Sequence, residues 1–157
     1  MATTINFKSV GNVGRQYVSD IQFPTITPIG IKTPLRLGKK HGIFDMHTNL
    51  ADTVHDNLRN LILTNYGERL GLYFFGANLR PLTTEFSVQN NFDSEAVIRI
   101  KTAVSNWMPF VNLIDYTSEV EKFTTGSSVA LIKLTITYAV PSLGVNDKQL
   151  IINLHVL

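Results

Sequence analysis

Val129–Val140, VALIKLTITYAV, decides the fold class. Ala130, Ile132, Leu134, Ile136 and Tyr138 take every second position, with Lys133, Thr135 and Thr137 between them. Successive strand side chains point to opposite faces, so this period predicts a strand with one apolar face. Gln149–Val156 repeats the pattern, with Leu150, Ile152, Leu154 and Val156 facing inward. Upstream, Val111–Glu121 is rich in β-formers, and Thr124–Ser127 (TTGS) is turn chemistry. Pro141 and Gly144–Asp147 make the next connection. Three consecutive strands with short connections imply an antiparallel meander.

A sheet with one apolar face needs a cover. Thr48 or Asn49 can cap a helix running to about Thr64, and Leu50, Val54, Leu58, Leu61 and Ile62 form one stripe at helical spacing. Asp52 and Asp56 suit its positive end, and Gly67 stops it. A second helix starts at Asp93 or Ser94, with Val97, Ile98, Ala103, Val104 and Trp107 inward, and Pro109 ends it. Between them, residues 66–92 read as a long loop punctuated by Gly67, Gly71, Gly76 and Pro81. The expected fold is α+β: two helices packed on an antiparallel three- to four-stranded meander, with an extended N-terminal arm. Residues 1–28, with Pro24 and Pro28, form that arm, which orders on a neighbour. Residues 29–157 form one domain, opening on a short edge strand of Ile29, Ile31, Leu35 and Leu37 around Pro34.

At 157 residues, 44% hydrophobic and 17% charged, the chain has the length and composition of one globular domain. The net charge of +2 demands no polyanionic partner, although Lys8, Arg15, Lys32, Arg36, Lys39 and Lys40 outnumber Asp20 and Asp45 over the first 45 residues. The absence of cysteine excludes disulfides and thiolate chemistry. MATTINFKSV lacks the apolar run of a signal peptide, and no segment approaches the ~20 apolar residues of a membrane span, so a soluble chain made in a cytoplasm is expected.

Enzyme signatures are thin. His41, His47, His55 and His155 form no metal-binding spacing and read as ordinary surface histidines. Gly126-Ser127-Ser128 is accounted for by a hairpin turn, and no phosphate loop is present. Glycoside hydrolysis needs two spaced carboxyl groups, and Glu68, Glu85, Asp93 and Glu95 lie in or beside the long loop. Each also has a structural reading: Glu68 beside Arg69, Asp93 as a cap, Glu95 in a first helical turn. Tyr73, Phe74 and Phe75 are consecutive, so they cannot line one strand face as a base-stacking row; packing is their default use. No cofactor is called for.

One stretch stands apart: Leu61–Leu79, LILTNYGERLGLYFFGANL. Thr64, Gly67, Glu68, Arg69, Phe75, Gly76 and Leu79 resemble, in order and spacing, the signature of the contractile-tail sheath-initiator and baseplate-wedge family, which is also found in type VI secretion systems. The resemblance extends, less specifically, over about residues 45–157. Gly67 can take the positive φ that closes a helix, Gly76 allows close backbone approach, and Arg69 can bridge carbonyls or pair with a carboxylate to pin the loop. Leu70–Phe75 then presents an apolar contact surface.

The family commonly has a proline where this chain has Tyr73. Its Glu-Pro-Arg tripeptide after the second helix aligns with Met108-Pro109-Phe110. The resemblance therefore implies an apolar wedge contact through Trp107, Met108, Pro109 and Phe110. It also implies a sheet edge to which the first ring of sheath subunits adds strands. The candidate edge is Leu150, Ile151, Ile152, Asn153, Leu154, His155 and Val156, with Lys148, Asn153 and His155 limiting premature pairing; an ordinary terminal strand closing a core is the equal alternative. The implied partners are baseplate wedge core proteins and the tail sheath protein, in several copies around a six-fold ring, with neither membrane nor nucleic acid. The implied place is the virion tail baseplate, assembled in the host cytoplasm. Members of the family have also carried a lysozyme label, which makes a peptidoglycan-cleaving, lysozyme-like glycoside hydrolase the alternative function.

Overall fold

The computed structural model describes residues 27–38, 43–85, 89–122 and 130–156. The arm to residue 26 and the Thr124–Ser127 turn lie outside them. The fold is α+β. A two-stranded antiparallel sheet pairs β1 (Gly30–Ile31) with β2 (Met46–His47). Helices α1 (Leu50–Leu63), α2 (Arg80–Glu85) and α3 (Gln89–Trp107) follow. The chain ends in an antiparallel sheet of order β3-β4-β5, from Asn112–Lys122, Ala130–Val140 and Val145–Val156.

The alternation read from the sequence sets the sheet's two faces. Ile132, Leu134, Ile136, Tyr138 and Val140 are buried from β4, and Leu150 and Ile152 from β5. Register places Thr135 opposite Thr117 on one side and Ile151 on the other, which forms part of the outward face. Helices α1 and α3 cover the inner face. Each fully buried aliphatic side chain contributes about 2 kcal/mol to the core. Tyr138 is the one polar tip in the β4 row, and its hydroxyl lies 2.8 Å from His55 Nδ1 of α1. Lys148 of β5 reaches Asp52 of α1 at 2.9 Å, a second tie between the layers.

Asn49 caps α1, its side chain accepting the Ala51 N–H at 3.0 Å. Val54, Leu58, Leu61 and Ile62 are buried as expected, but Leu50 is 45% exposed because it opens the first turn at the rim of the core. In α3 the inward stripe is Phe92, Ala96, Ile100, Ala103 and Val104. Ile98, expected inward, is 59% exposed: two residues from Ala96 and from Ile100, it lies across the helix from both. Trp107 is also partly exposed, at the last turn.

The expected loop of residues 66–92 is shorter than its sequence suggests. Pro81 is tolerated at the second position of α2, where no intrahelical N–H is needed, and α3 starts four residues before Asp93. The first strand is broken as well. Pro34 interrupts it, leaving β1 as two residues and Leu37 as an isolated bridge to Phe44, with Leu35 and Leu37 exposed.

His47 is not a surface residue, and His55 is half-buried with its ring against the Tyr138 hydroxyl. His47 is buried, with Nε2 2.8 Å from Asp56 Oδ2. Asp56 also accepts the Thr33 N–H at 2.9 Å, so one carboxylate fastens the β1–β2 unit to α1. Burial opposes ionisation of Asp56, but the Thr33 N–H and the His47 ring outweigh it and hold the carboxyl below its ordinary value.

Candidate functional site

The Thr64–Leu79 segment forms an arch that returns to the end of α1. A helix leaves its last carbonyls without partners. Here the Ala77 N–H donates to Leu61 O at 3.2 Å and the Asn78 N–H to Thr64 O at 3.2 Å. Thr64 donates its own hydroxyl to Asn60 O at 2.6 Å. Inside the arch, the Gly67 N–H donates to Tyr73 O at 2.8 Å and the Phe75 N–H to Leu72 O at 3.0 Å. Gly67 and Gly76 both have backbones that side chains resist: φ is +82° at Gly67 and +114° at Gly76.

The side chains divide the work differently from expectation. Arg69 reaches no carbonyl or carboxylate among the described residues; its guanidinium carbon lies 3.7 Å from the Phe75 ring centroid. Arg99 of α3 does the pinning instead. Its Nη1 donates to Asn78 O at 2.7 Å, and its Nε donates to Glu95 Oε1 at 3.0 Å. Asn65 is a second anchor missed in the sequence. Its N–H and Nδ2 donate to the two Glu68 oxygens at 2.9 and 2.8 Å, and its Oδ1 accepts the Arg80 N–H at 3.1 Å. Nothing in its spacing marks Arg99, which lies 21 residues from Asn78; Asn65, next to Thr64, carried the signal of a side chain suited to turns.

Phe75 joins two of the expected surfaces. Its ring meets Trp107 with centroids 5.0 Å apart, so the arch and the end of α3 form one patch. Pro109 and Phe110 are exposed beside it, Phe110 at 47%. Met108 is 7% exposed and faces the core; the surface segment consists of Trp107, Pro109 and Phe110. On the arch itself Leu70, Leu72, Tyr73 and Phe74 are exposed, with Phe74 packed edge-on against both Tyr66 and Tyr73. Leu79 and Ala77 are buried and anchor the arch's return.

The last strand is at once a core strand and the edge of its sheet. Leu150 and Ile152 are buried in the core, and Leu154 packs against it. Ile151, Asn153 and His155 face outward. Strand β5 pairs with β4 on one side only, so its other edge carries no strand among the described residues.

Glu68, Asp93 and Glu95, three of the four carboxylates considered for hydrolysis, are engaged in the fold. The hydrogen bonds from Asn65 hold the exposed Glu68 carboxyl below its ordinary value. Asp93 accepts the Ser118 hydroxyl, well inside α3 and not at its cap, and Glu95 accepts from Arg99. The Glu85 side chain lies outside the described residues. No group of three or more potential metal ligands occurs among the described residues, and no described helix is long and apolar enough to cross a membrane.

No protein-family model and no curated protein matches the sequence. Solved structures do match. One is a chain of the baseplate of the anti-feeding prophage, seen in a six-fold symmetrised cryo-EM structure: TM-score 0.57, 19% identity, covering 70% of this chain and 82% of that one. Another is a protein from Geobacter sulfurreducens described as a "putative tail lysozyme": TM-score 0.57, 20% identity, covering 69% of this chain and 93% of that one. At these identities the likeness is one of fold, and the α+β domain described above has the fold of these two tail-associated proteins.

Proposed function

We propose that this chain is a structural component of a contractile-tail baseplate. It binds the wedge core through the Phe75–Trp107–Phe110 patch and starts sheath assembly by accepting a sheath strand on β5. The observation that carries the reading is the one-sided pairing of β5, a twelve-residue strand whose inner face is locked into the core while its other edge is unpaired among the described residues. Such an edge is a template for strand addition, held by main-chain hydrogen bonds. The fold shared with an anti-feeding prophage baseplate chain supports the setting, and the six-fold symmetry of that assembly supports several copies around a ring.

Because β5 is part of the core, removing it tests folding rather than docking. Amide hydrogen exchange on the full chain, with and without the sheath protein of the same contractile system, is the better experiment. The reading expects new protection at alternating β5 amides; protection confined to β3 or to the arch would contradict it.

The lysozyme-like alternative has one observation in its favour, the description of the Geobacter protein. A catalytic general acid needs a raised pKa from an apolar setting, whereas Glu68 is exposed and its pKa lowered. A cell-wall cleavage assay on the pure protein separates the readings: activity lost in Glu68→Gln would establish the hydrolase.

A further inference from the structure

We propose that the groove between α2 and β5 is a register pocket. It accepts one bulky aliphatic side chain of a strand added to β5 and favours a carboxylate two residues away on that strand. The inference rests on the reading of β5 as the augmentation edge and adds what the incoming strand must carry.

The groove has a volume of about 200 Å³. Leu63 and the half-buried Leu154 supply its accessible apolar surface over the buried Ile62 and Leu79, and Thr83 and Arg80 stand around them. Among the described residues its walls come from α1, the arch, α2 and β5 and none from β4, as expected of a groove on the unpaired side of β5. A strand added there runs about 4.8 Å from β5 and sends every second side chain toward the helices. The side chain beside Leu154 enters the groove. A slip of one residue would turn that side chain outward and bring a polar one in, so filling the groove fixes the register.

Charge narrows the partner further. Arg80 is exposed and forms no ion pair among the described residues, and its positive field already contributes to holding Glu68 ionised. His155 lies at the same groove. An acidic group on the inner face of the added strand, one pleat from the aliphatic residue, meets this positive side.

The test titrates the isotope-labelled full chain with nine-residue peptides of alternating Thr and Val. The parent carries a central Leu and an Asp two residues on; one variant replaces that Leu by Ala, another replaces that Asp by Lys. The parent is expected to shift the amides of β5 and of Leu79–Thr83, with both variants at least about tenfold weaker. In an Arg80→Glu chain, the Asp and Lys peptides should exchange order. Equal binding of all three peptides at β5 would leave strand augmentation standing and overturn the pocket. No response at β5 from any peptide would overturn both readings. Concentration-dependent β5 shifts without peptide would make a second copy the occupant and overturn the proposal.

Discussion

The Cβ that Gly76 lacks would stand 2.1 Å from the carbonyl oxygen of Thr64. The arch therefore closes on α1 through a contact that only glycine permits. That carbonyl is also the acceptor for the Asn78 N–H, so it cannot move aside without breaking the closing hydrogen bond. The same position has φ +114°, which independently excludes an ordinary side chain.

Gly76→Ala should accordingly destabilise the chain by about 2–4 kcal/mol, combining backbone strain with steric displacement. Gly71→Ala is the control, because its added Cβ would meet nothing within 4 Å and only the φ of +79° resists it. Urea unfolding of both variants measures the difference, and equal losses would contradict the close-contact account.

The two arginines make a second comparison. Arg99→Met removes a charge-assisted bond to the Asn78 carbonyl and should cost about 2–3 kcal/mol. Arg69→Met removes a contact over the partly exposed Phe75 ring and should cost about 1 kcal/mol or less. Denaturation midpoints for the two variants check the order, and a larger loss at Arg69 would return the pinning role to that residue.

Stability should fall on acidification in two stages. Burial, and then the charge of Lys148, hold the His55 pKa below its ordinary 6.5. The unfolded chain therefore takes up the proton first, and the stability this provides is full above pH 6.5 and declines below it. Asp56, held below 3.8 by Thr33 and His47 against the opposing effect of burial, has the same sign. Its contribution is present above 3.8 and is lost as pH falls through its lowered value. Urea midpoints between pH 8 and 3 should decrease downward, and His55→Gln should flatten the upper stage only.

In the proposed reading the Phe75–Trp107–Phe110 patch docks on the wedge. Phe110→Glu leaves the Phe75–Trp107 contact in place and should change stability by no more than about 0.5 kcal/mol. It should nevertheless abolish co-purification with wedge proteins, because an unpaired carboxylate would be buried in an apolar interface. Retained co-purification would move the wedge contact elsewhere.

The sheet was legible because a period of two is unambiguous over eleven residues, and Ile132 through Tyr138 occupy the faces that alternation assigns. Helix α1 was legible for the same reason at helical period. Helix α3 misled because Val97 and Ile98 are adjacent apolar residues, and burial went to Ala96 and Ile100 instead. Small residues such as Ala96 carry little signal in a sequence but allow a helix to approach a sheet closely. The arch glycines stood out through their spacing, whereas the Arg99–Asn78 bond joins positions 21 apart and is set by tertiary packing alone. His47 and His55 were hidden similarly, since their partners Asp56 and Tyr138 are fixed by the fold.

A cryo-EM map of baseplates assembled from this chain with the wedge and sheath proteins of its own contractile system tests the central claim most directly. The account predicts a ring of copies with a sheath strand hydrogen-bonded along the open edge of β5 and the Phe75–Trp107–Phe110 patch buried on the wedge. A β5 edge left open to solvent in the assembled particle, or a particle complete without this chain, would contradict it.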